Sequence, residues 1–215
     1  GASEKGDTLG NNKDRDYLTI KYEDLGTSAN LVWMKRYDYD GSQNGDLVKG
    51  IAVDTSGNVY VTGWSYNVTN RLSDYATVKY LPNGAVGWVR RYSYSTASSD
   101  YPTAIAVDTL NNVYVTGNGS PSGFHTVKYD SNGDEVEGWV APYTGPLSYA
   151  YATSIAVDAS NNVYVAGSAR GIPTNGYSWN SNNFAILKYT STGGDPQWVA
   201  TYDALGLADE VTAIA

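Results

Sequence analysis

The stretch Gly50–Gly63, GIAVDTSGNVYVTG, returns as AIAVDTLNNVYVTG ending at Gly117 and as SIAVDASNNVYVAG ending at Gly167. A fourth copy begins near the end as VTAIA, residues 211–215. Self-similarity at a long period constrains a fold more tightly than composition does, because each copy must be one structural unit that buries its faces on its neighbours.

Three further phrases recur in fixed order with the first. The IAVD phrase places Ile51, Ile105, Ile155 and Ile214 at spacings of 54, 50 and 59 residues. NVYV(T/A)G closes at Gly63, Gly117 and Gly167. A Lys-Tyr phrase ends at Tyr22, Tyr80, Tyr129 and Tyr189. A Trp-x-x-x-Tyr phrase pairs Trp33 with Tyr37, Trp88 with Tyr92, Trp139 with Tyr143 and Trp198 with Tyr202. Each phrase is short, β-branched or aromatic, and bounded by Gly, Asn, Asp or Ser, which is the pattern of a strand. Four strands per period of about 50 residues is the arithmetic of a β-propeller blade.

The expected fold is therefore all-β: a β-propeller of four-stranded antiparallel blades, about four repeats, forming an incomplete ring or a fragment of one. We label the strands of a blade A (IAVD), B (NVYVTG), C (Lys-Tyr) and D (Trp). Residues 1–15 read as a polar leader and 16–215 as propeller repeats. The first blade contributes only C and D, at 16–37, and full repeats follow at about 48–92, 103–143 and 153–202, with a further strand A starting at 211–215. The first blade thus lacks a strand B, unless residues such as Asp7 to Leu9 substitute for it.

The phrases IAVDTSGNVYVTGWS and DYATVKYLPNGAVGWVRRY and their copies resemble the SBBP-type bacterial and archaeal β-propeller repeat family, and more distantly NHL and YVTN propeller repeats. The resemblance covers nearly everything from Asp16 to Ala215. It implies an extracellular, cell-surface or periplasmic protein that binds or scaffolds, with strand A lining the central channel and strand D outermost. It implies no particular chemistry.

Composition narrows the partners. A net charge of -8 repels a polyphosphate backbone, so nucleic acid is excluded as a partner class. No run approaches 18 consecutive apolar residues, so no helical membrane span is expected. With no cysteine, thiolate metal sites and disulfides are absent.

Loop lengths point to one end of the blades. The A–B and C–D turns share one end; the B–C and D–A loops share the other. From the closing Gly of strand B to the Lys of strand C the separation is 16, 11 and 21 residues, and variable loops on a fixed scaffold are where binding residues concentrate. The loop after Gly63 holds Trp64, Tyr66 and Arg71, and Ser168–Asn183 holds Arg170, Tyr177 and Trp179. Trp64 and Trp179 are the only tryptophans outside the repeated D position. They are candidates for stacking on sugars or gripping a protein; the competing reading is a small local core at the blade edge.

Asp54, Asp108 and Asp158 recur where strand A ends and read as turn initiators. The loop DGSQNGD sets Asp40, Ser42 and Asn44 at alternate positions before Gly45, the opening of a calcium-loop pattern. Ile51 stands where that pattern needs its bidentate Glu, so a plain turn-rich loop competes with a Ca²⁺ site; no other cofactor is implied. No catalytic motif is present, and His125, the single histidine, reads as a strand-filling residue. The expected function is a non-catalytic module binding protein or glycan at the variable-loop end. The runners-up are a carbohydrate-active enzyme using paired acids there, and a purely structural scaffold. Self-association to complete the ring is a further expectation.

Overall fold

Alternation of β-branched and aromatic residues between Asp-, Asn- and Gly-rich turns gives strands and nothing else: the computed structural model holds no helix among the residues it describes, 2–4, 15–39, 45–120, 122–139, 141–170, 182–203 and 209–215. Among the described residues, no helix is long and apolar enough to cross a membrane.

Among the described residues, fifteen strands make four antiparallel sheets. The first sheet has three strands, β1 (Ala2–Glu4), β2 (Arg15–Asp24) and β3 (Ala29–Tyr37). The second is complete: β4 (Asp46–Val53), β5 (Val59–Asn67), β6 (Leu72–Tyr80) and β7 (Val86–Tyr92) are strands A, B, C and D in spatial order. The third repeats this with β8 (Tyr101–Val107), β9 (Val113–Gly119), β10 (Gly123–Tyr129) and β11 (Ala141–Tyr143). The fourth does so with β12 (Ala150–Val157), β13 (Val163–Arg170), β14 (Asn182–Tyr189) and β15 (Trp198–Tyr202). Four-stranded meanders in this order are propeller blades.

Each sheet packs on the next, β2 on β4, β4 on β8 and β8 on β12, and the four do not close into a ring. Three apolar clusters fill the three junctions. In the first junction Tyr17 and Trp33 meet Val59, Val61, Ala76, Val78 and Tyr80 of the second sheet. In the second junction Tyr75 and Trp88 take the equivalent places against Val113, Val115, Val127 and Tyr129.

Two repeat rules explain the fixed letters. Every strand A carries a bulge where it faces the closing Gly of strand B, between Val48 and Gly50, Pro102 and Ala104, and Ala152 and Ser154. A Cβ on Gly63, Gly117 or Gly167 would fall about 2 Å from the carbonyl oxygen of Leu47, Tyr101 or Tyr151, so strand B must end its phrase on Gly. The second rule joins sheets. Trp33, Trp88 and Trp139 each donate their indole N–H to a carbonyl in the C–D turn of the next sheet, Pro82 at 3.1 Å, Ser131 at 3.4 Å and Ser191 at 2.8 Å. Lys21, Lys79 and Lys128 donate to the same three carbonyls.

Three sequence expectations are refined. The strand that flanks β2 is Ala2–Glu4, from the stretch read as a leader, paired as Ala2 with Tyr17, Ser3 with Asp16 and Glu4 with Arg15; Asp7 to Leu9 lie outside the described residues. In the third sheet Trp139 precedes the short β11 instead of lying within a strand, yet it is fully buried. Residues 211–215 are not a strand. They lie beside β12, where the Ile214 N–H donates to Ser154 Oγ at 3.2 Å.

Candidate functional site

Antiparallel order sends the two loop classes to opposite ends, and the two ends differ in chemistry. At the A–B turns, Asp54 Oδ1 accepts the N–H groups of Ser56 and Asn58, while Oδ2 accepts from the Asn58 amide at 2.7 Å and the Tyr60 hydroxyl at 3.0 Å. Asp108 and Asp158 repeat all four bonds with their own Asn and Tyr. The third turn residue, Gly57, Asn111 or Asn161, takes a positive φ, which Gly and Asn tolerate best. Burial pushes the Asp54 carboxyl up, but the bonds from Asn58, Tyr60 and Ser56 outweigh it and hold it below its ordinary range. These aspartates have their oxygens committed to turns.

The variable-loop end carries aromatics. Trp64, half-buried on β5, meets Tyr101 at the start of β8 edge-on, with centroids 6.1 Å apart. Tyr101 is 45% exposed. One sheet further on, Tyr151 holds the same place at the head of strand A, is 39% exposed, and stands T-shaped to Tyr149 at 4.7 Å. The Arg170 guanidinium lies 4.1 Å over the Tyr149 ring, within cation–π range. An arc of aromatic rings and one cation therefore crosses the inner strands of the second, third and fourth sheets at this end.

Of the residues singled out in the sequence, the structure brings Trp64 to Tyr101 and Arg170 to Tyr149. Tyr66 is half-buried on β5 opposite Ser73, and Arg71 is exposed at the tip of the turn with φ 61°. Tyr177 and Trp179 lie outside the described residues, as do Asp40, Ser42 and Asn44. Sequence reasoning missed Tyr101 and Tyr151. Both stand four residues before the Ile of strand A, where the first full copy has Leu47, so the aromatic did not appear within the repeated phrase.

A charged cluster supports this end from behind. Arg91 donates to Ser65 Oγ at 2.7 Å, to the Ser65 carbonyl at 2.9 Å and to Asp74 at 3.1 Å, and its guanidinium lies 3.9 Å over the Tyr39 ring. Arg36 makes the equivalent ion pair with Asp16. Asp46 accepts the Tyr39 N–H at 3.2 Å, and Asp100 accepts the Tyr94 N–H at 2.8 Å, so one carboxylate pins each of two D–A loops. Burial, reinforced by the neighbouring Asp16 and Asp38, pushes the Asp46 carboxyl up to about 6, against hydrogen bonds from Ser65 and Tyr39. Oxygens of Asp16, Asp38 and Asp46 lie within 4.8 Å of one another and could each offer one ligand to a cation. Asp16 is already neutralised by Arg36. His125 is fully buried, edge-on to Tyr94 at 4.4 Å.

Comparison with known proteins agrees with the repeat. The family model for the SBBP beta-propeller repeat matches residues 38–69, 87–125 and 139–172. No curated protein sequence matches the chain. Among solved structures, it is similar to a mutant of Synechocystis apocarotenoid oxygenase, at 6% identity, a TM-score of 0.46, and coverage of 74% of this chain and 39% of that one. A chimera of that oxygenase with RPE65 gives 8% identity, a TM-score of 0.45, and coverage of 86% and 47%. The extracellular domain of a putative hybrid two component system from B. thetaiotaomicron gives 16%, 0.40, and coverage of 86% and 23%. The chain spans less than half the length of each of these three.

Proposed function

We propose that this chain, which carries repeats of the SBBP β-propeller family, is a non-catalytic binding module, exported or displayed on the cell surface, that engages protein or carbohydrate at its variable-loop end. The observation that carries this reading is the aromatic arc from Trp64 and Tyr101 to Tyr151, Tyr149 and Arg170, in which Tyr101 and Tyr151 are exposed and the others half-buried. Flat rings presented by rigid strands offer large contact area at little cost in side-chain entropy, which suits sugar faces and protein hot spots alike. The arc has no packing duty of the kind that buries Trp33, Trp88 and Trp139.

The acidic balance of 22 carboxylates against 14 basic residues does not suit a nucleic-acid partner. A glycosidase would need two carboxyls facing an open cleft. At this end Asp16 and Asp46 are buried and hold Arg36 and the Tyr39 loop, so the binding reading is preferred. An array of glycans and peptides probed with the wild-type chain and with a Trp64→Ala/Tyr101→Ala variant tests it. Retention of a defined ligand set by the wild type and its loss in the variant support it; no retention by the wild type sinks it.

A further inference from the structure

The loop from the second sheet to the third, residues 93–100, is clasped shut by one of its own side chains. Asp100 Oδ2 accepts the Tyr94 N–H at 2.8 Å, and the Ser93 hydroxyl lies between that oxygen, at 3.3 Å, and the Ser95 carbonyl, at 2.8 Å. The Ala97 N–H donates to Ser95 Oγ at 3.2 Å. Two more bonds fasten the loop to the second sheet: the Asp100 N–H donates to the Ser73 carbonyl at 2.7 Å, and the Ser73 N–H to Ser99 Oγ at 2.9 Å. Tyr94 is thus bonded to the residue that adjoins Tyr101, and the loop holds both tyrosines at its closed base. Its shape is set when the chain folds, so little ordering is left for a ligand to impose.

The loop that leads into the second sheet has the same clasp, made by Asp46 and Tyr39, but its tyrosine is capped. The Arg91 guanidinium lies 3.9 Å over the Tyr39 ring and is held there by Ser65 and Asp74. In the third sheet the strand register puts Gly119, Gly123 and Pro142 where the second has Ser65, Asp74 and Arg91. No guanidinium is there to cap Tyr94. Instead His125, in the place of Ala76, meets it edge-on at 4.4 Å. Tyr94 is 41% exposed, Tyr101 is 45% exposed, and Thr96 and Ala97 stand exposed between them. Charge is withdrawn from this surface as well. Residues 93–99 carry none, nor do residues 67–70 of the turn that leads toward Ser73, and both Asp74 and Asp100 are buried.

We propose that this loop is a subsite for a neutral polysaccharide, with Tyr94 and Tyr101 as platforms for sugar faces and the loop's serine and threonine hydroxyls as its hydrogen-bonding groups. The inference deepens the binding-module reading and rests on it. A sugar ring presents an apolar C–H face rimmed by hydroxyls. The loop presents the complement, exposed phenol rings among small alcohols, with no surface charge that a saccharide would have to strip of water. An acidic glycan or a charged peptide finds no counter-ion on residues 93–99: Asp100 is the clasp, and Arg91 is committed to Asp74 and Tyr39. Rigid aromatic anchors beside adaptable hydroxyls also suit a polar ligand read at many small contacts. Asp100 acts here as a positioning residue, through the loop it closes.

The test is native affinity electrophoresis of the full chain through gels containing mixed-linkage β-glucan, α-mannan, galactomannan or dextran, with polygalacturonate as the acidic comparison. At least one neutral polymer should retard the chain and polygalacturonate should not. The dissociation constant for the retarding polymer should change less than about twofold between low and high salt, because no ion pair forms. Tyr94→Ala should weaken binding by about tenfold or more. Ala97→Glu sets a carboxylate on the exposed crest of the loop; it should weaken binding as much while melting with the wild type. Leu110→Ala, exposed at the turn end, should bind as the wild type does. Retardation by polygalacturonate alone, or by no polymer, overturns the proposal, as does a neutral polymer bound equally by the wild type, Tyr94→Ala and Ala97→Glu. Peptides captured through Trp64 and Tyr101 with no neutral polymer bound would remove the saccharide and leave the binding module standing; a chain that captures nothing removes both.

Discussion

Trp139 of the third sheet covers Gly193 in the C–D turn of the fourth so closely that a Cβ at that glycine would lie 2.5 Å from the indole Cδ1. The same indole donates to Ser191 two residues earlier. Trp88 covers Gly133 and Trp33 covers Gly84 in the same way, so one Trp–Gly contact is the joint between every pair of neighbouring sheets. The joint explains why the Trp phrase and the turn glycine recur together.

Gly193→Ala should therefore cost more than Gly194→Ala. Both glycines have φ above +80°, so each substitution carries a left-handed penalty of roughly 1–2 kcal/mol. Only Gly193 faces an indole; nothing lies within 4 Å of a Cβ at Gly194. Chemical denaturation should show Gly193→Ala less stable than Gly194→Ala by about 1–3 kcal/mol, the usual cost of overpacking.

The tryptophans themselves should divide by position. Trp139 is fully buried, whereas Trp198, with no further sheet packed on it among the described residues, is 42% exposed. Trp139→Ala should cost about 3–5 kcal/mol and Trp198→Ala less than about 1 kcal/mol. Equal losses in thermal melts would mean that the outer tryptophans stabilise their own sheet and do not join neighbours.

Acid and base act on different aspartates. Asp46 has a folded pKa of about 6, raised above the ordinary 3.8 by burial. Between those two values the folded chain binds a proton that the unfolded chain does not, so this group's contribution to stability grows as pH falls from about 7 to 5. Asp54 and Asp158 are held below 3.8 by their turn bonds; their contribution is present above that value and is lost as pH falls further through their folded pKa values. Melting temperatures measured from pH 8 to 3 should rise and then fall. Asp46→Asn, which keeps an acceptor for the Tyr39 N–H, should flatten the first limb and leave the second.

Much of this fold was legible because the phrases are written by local chemistry. The Asp-x-x-x-Asn turn and the closing glycine of strand B each answer to a contact made in all three copies, and the Trp-x-x-x-Tyr phrase to one made by Trp33, Trp88 and Trp139. The joints were not legible, since Trp139 meets Gly193 and Ser191 across about 50 residues and nothing in the letters says which turn lies beneath which indole. Ala2–Glu4 escaped notice because a three-residue strand carries no period. At the site, Trp64 stood out for breaking the repeat pattern. Tyr101 and Tyr151 did not, because Leu47 occupies their place in the first full copy and their shared position shows only once the strand heads are aligned.

Binding at the variable-loop end is tested most directly by comparing the two ends of the molecule. A glycan and peptide array would be probed with the wild type and two variants: Trp64→Ala/Tyr151→Ala at the variable-loop end, and Val86→Ala/Leu110→Ala, which removes apolar side chains exposed at the turn end. The first variant should lose the wild-type ligands and the second should keep them, with both still folded. Loss in the turn-end variant alone, or retention by both, would contradict a binding site at the aromatic arc.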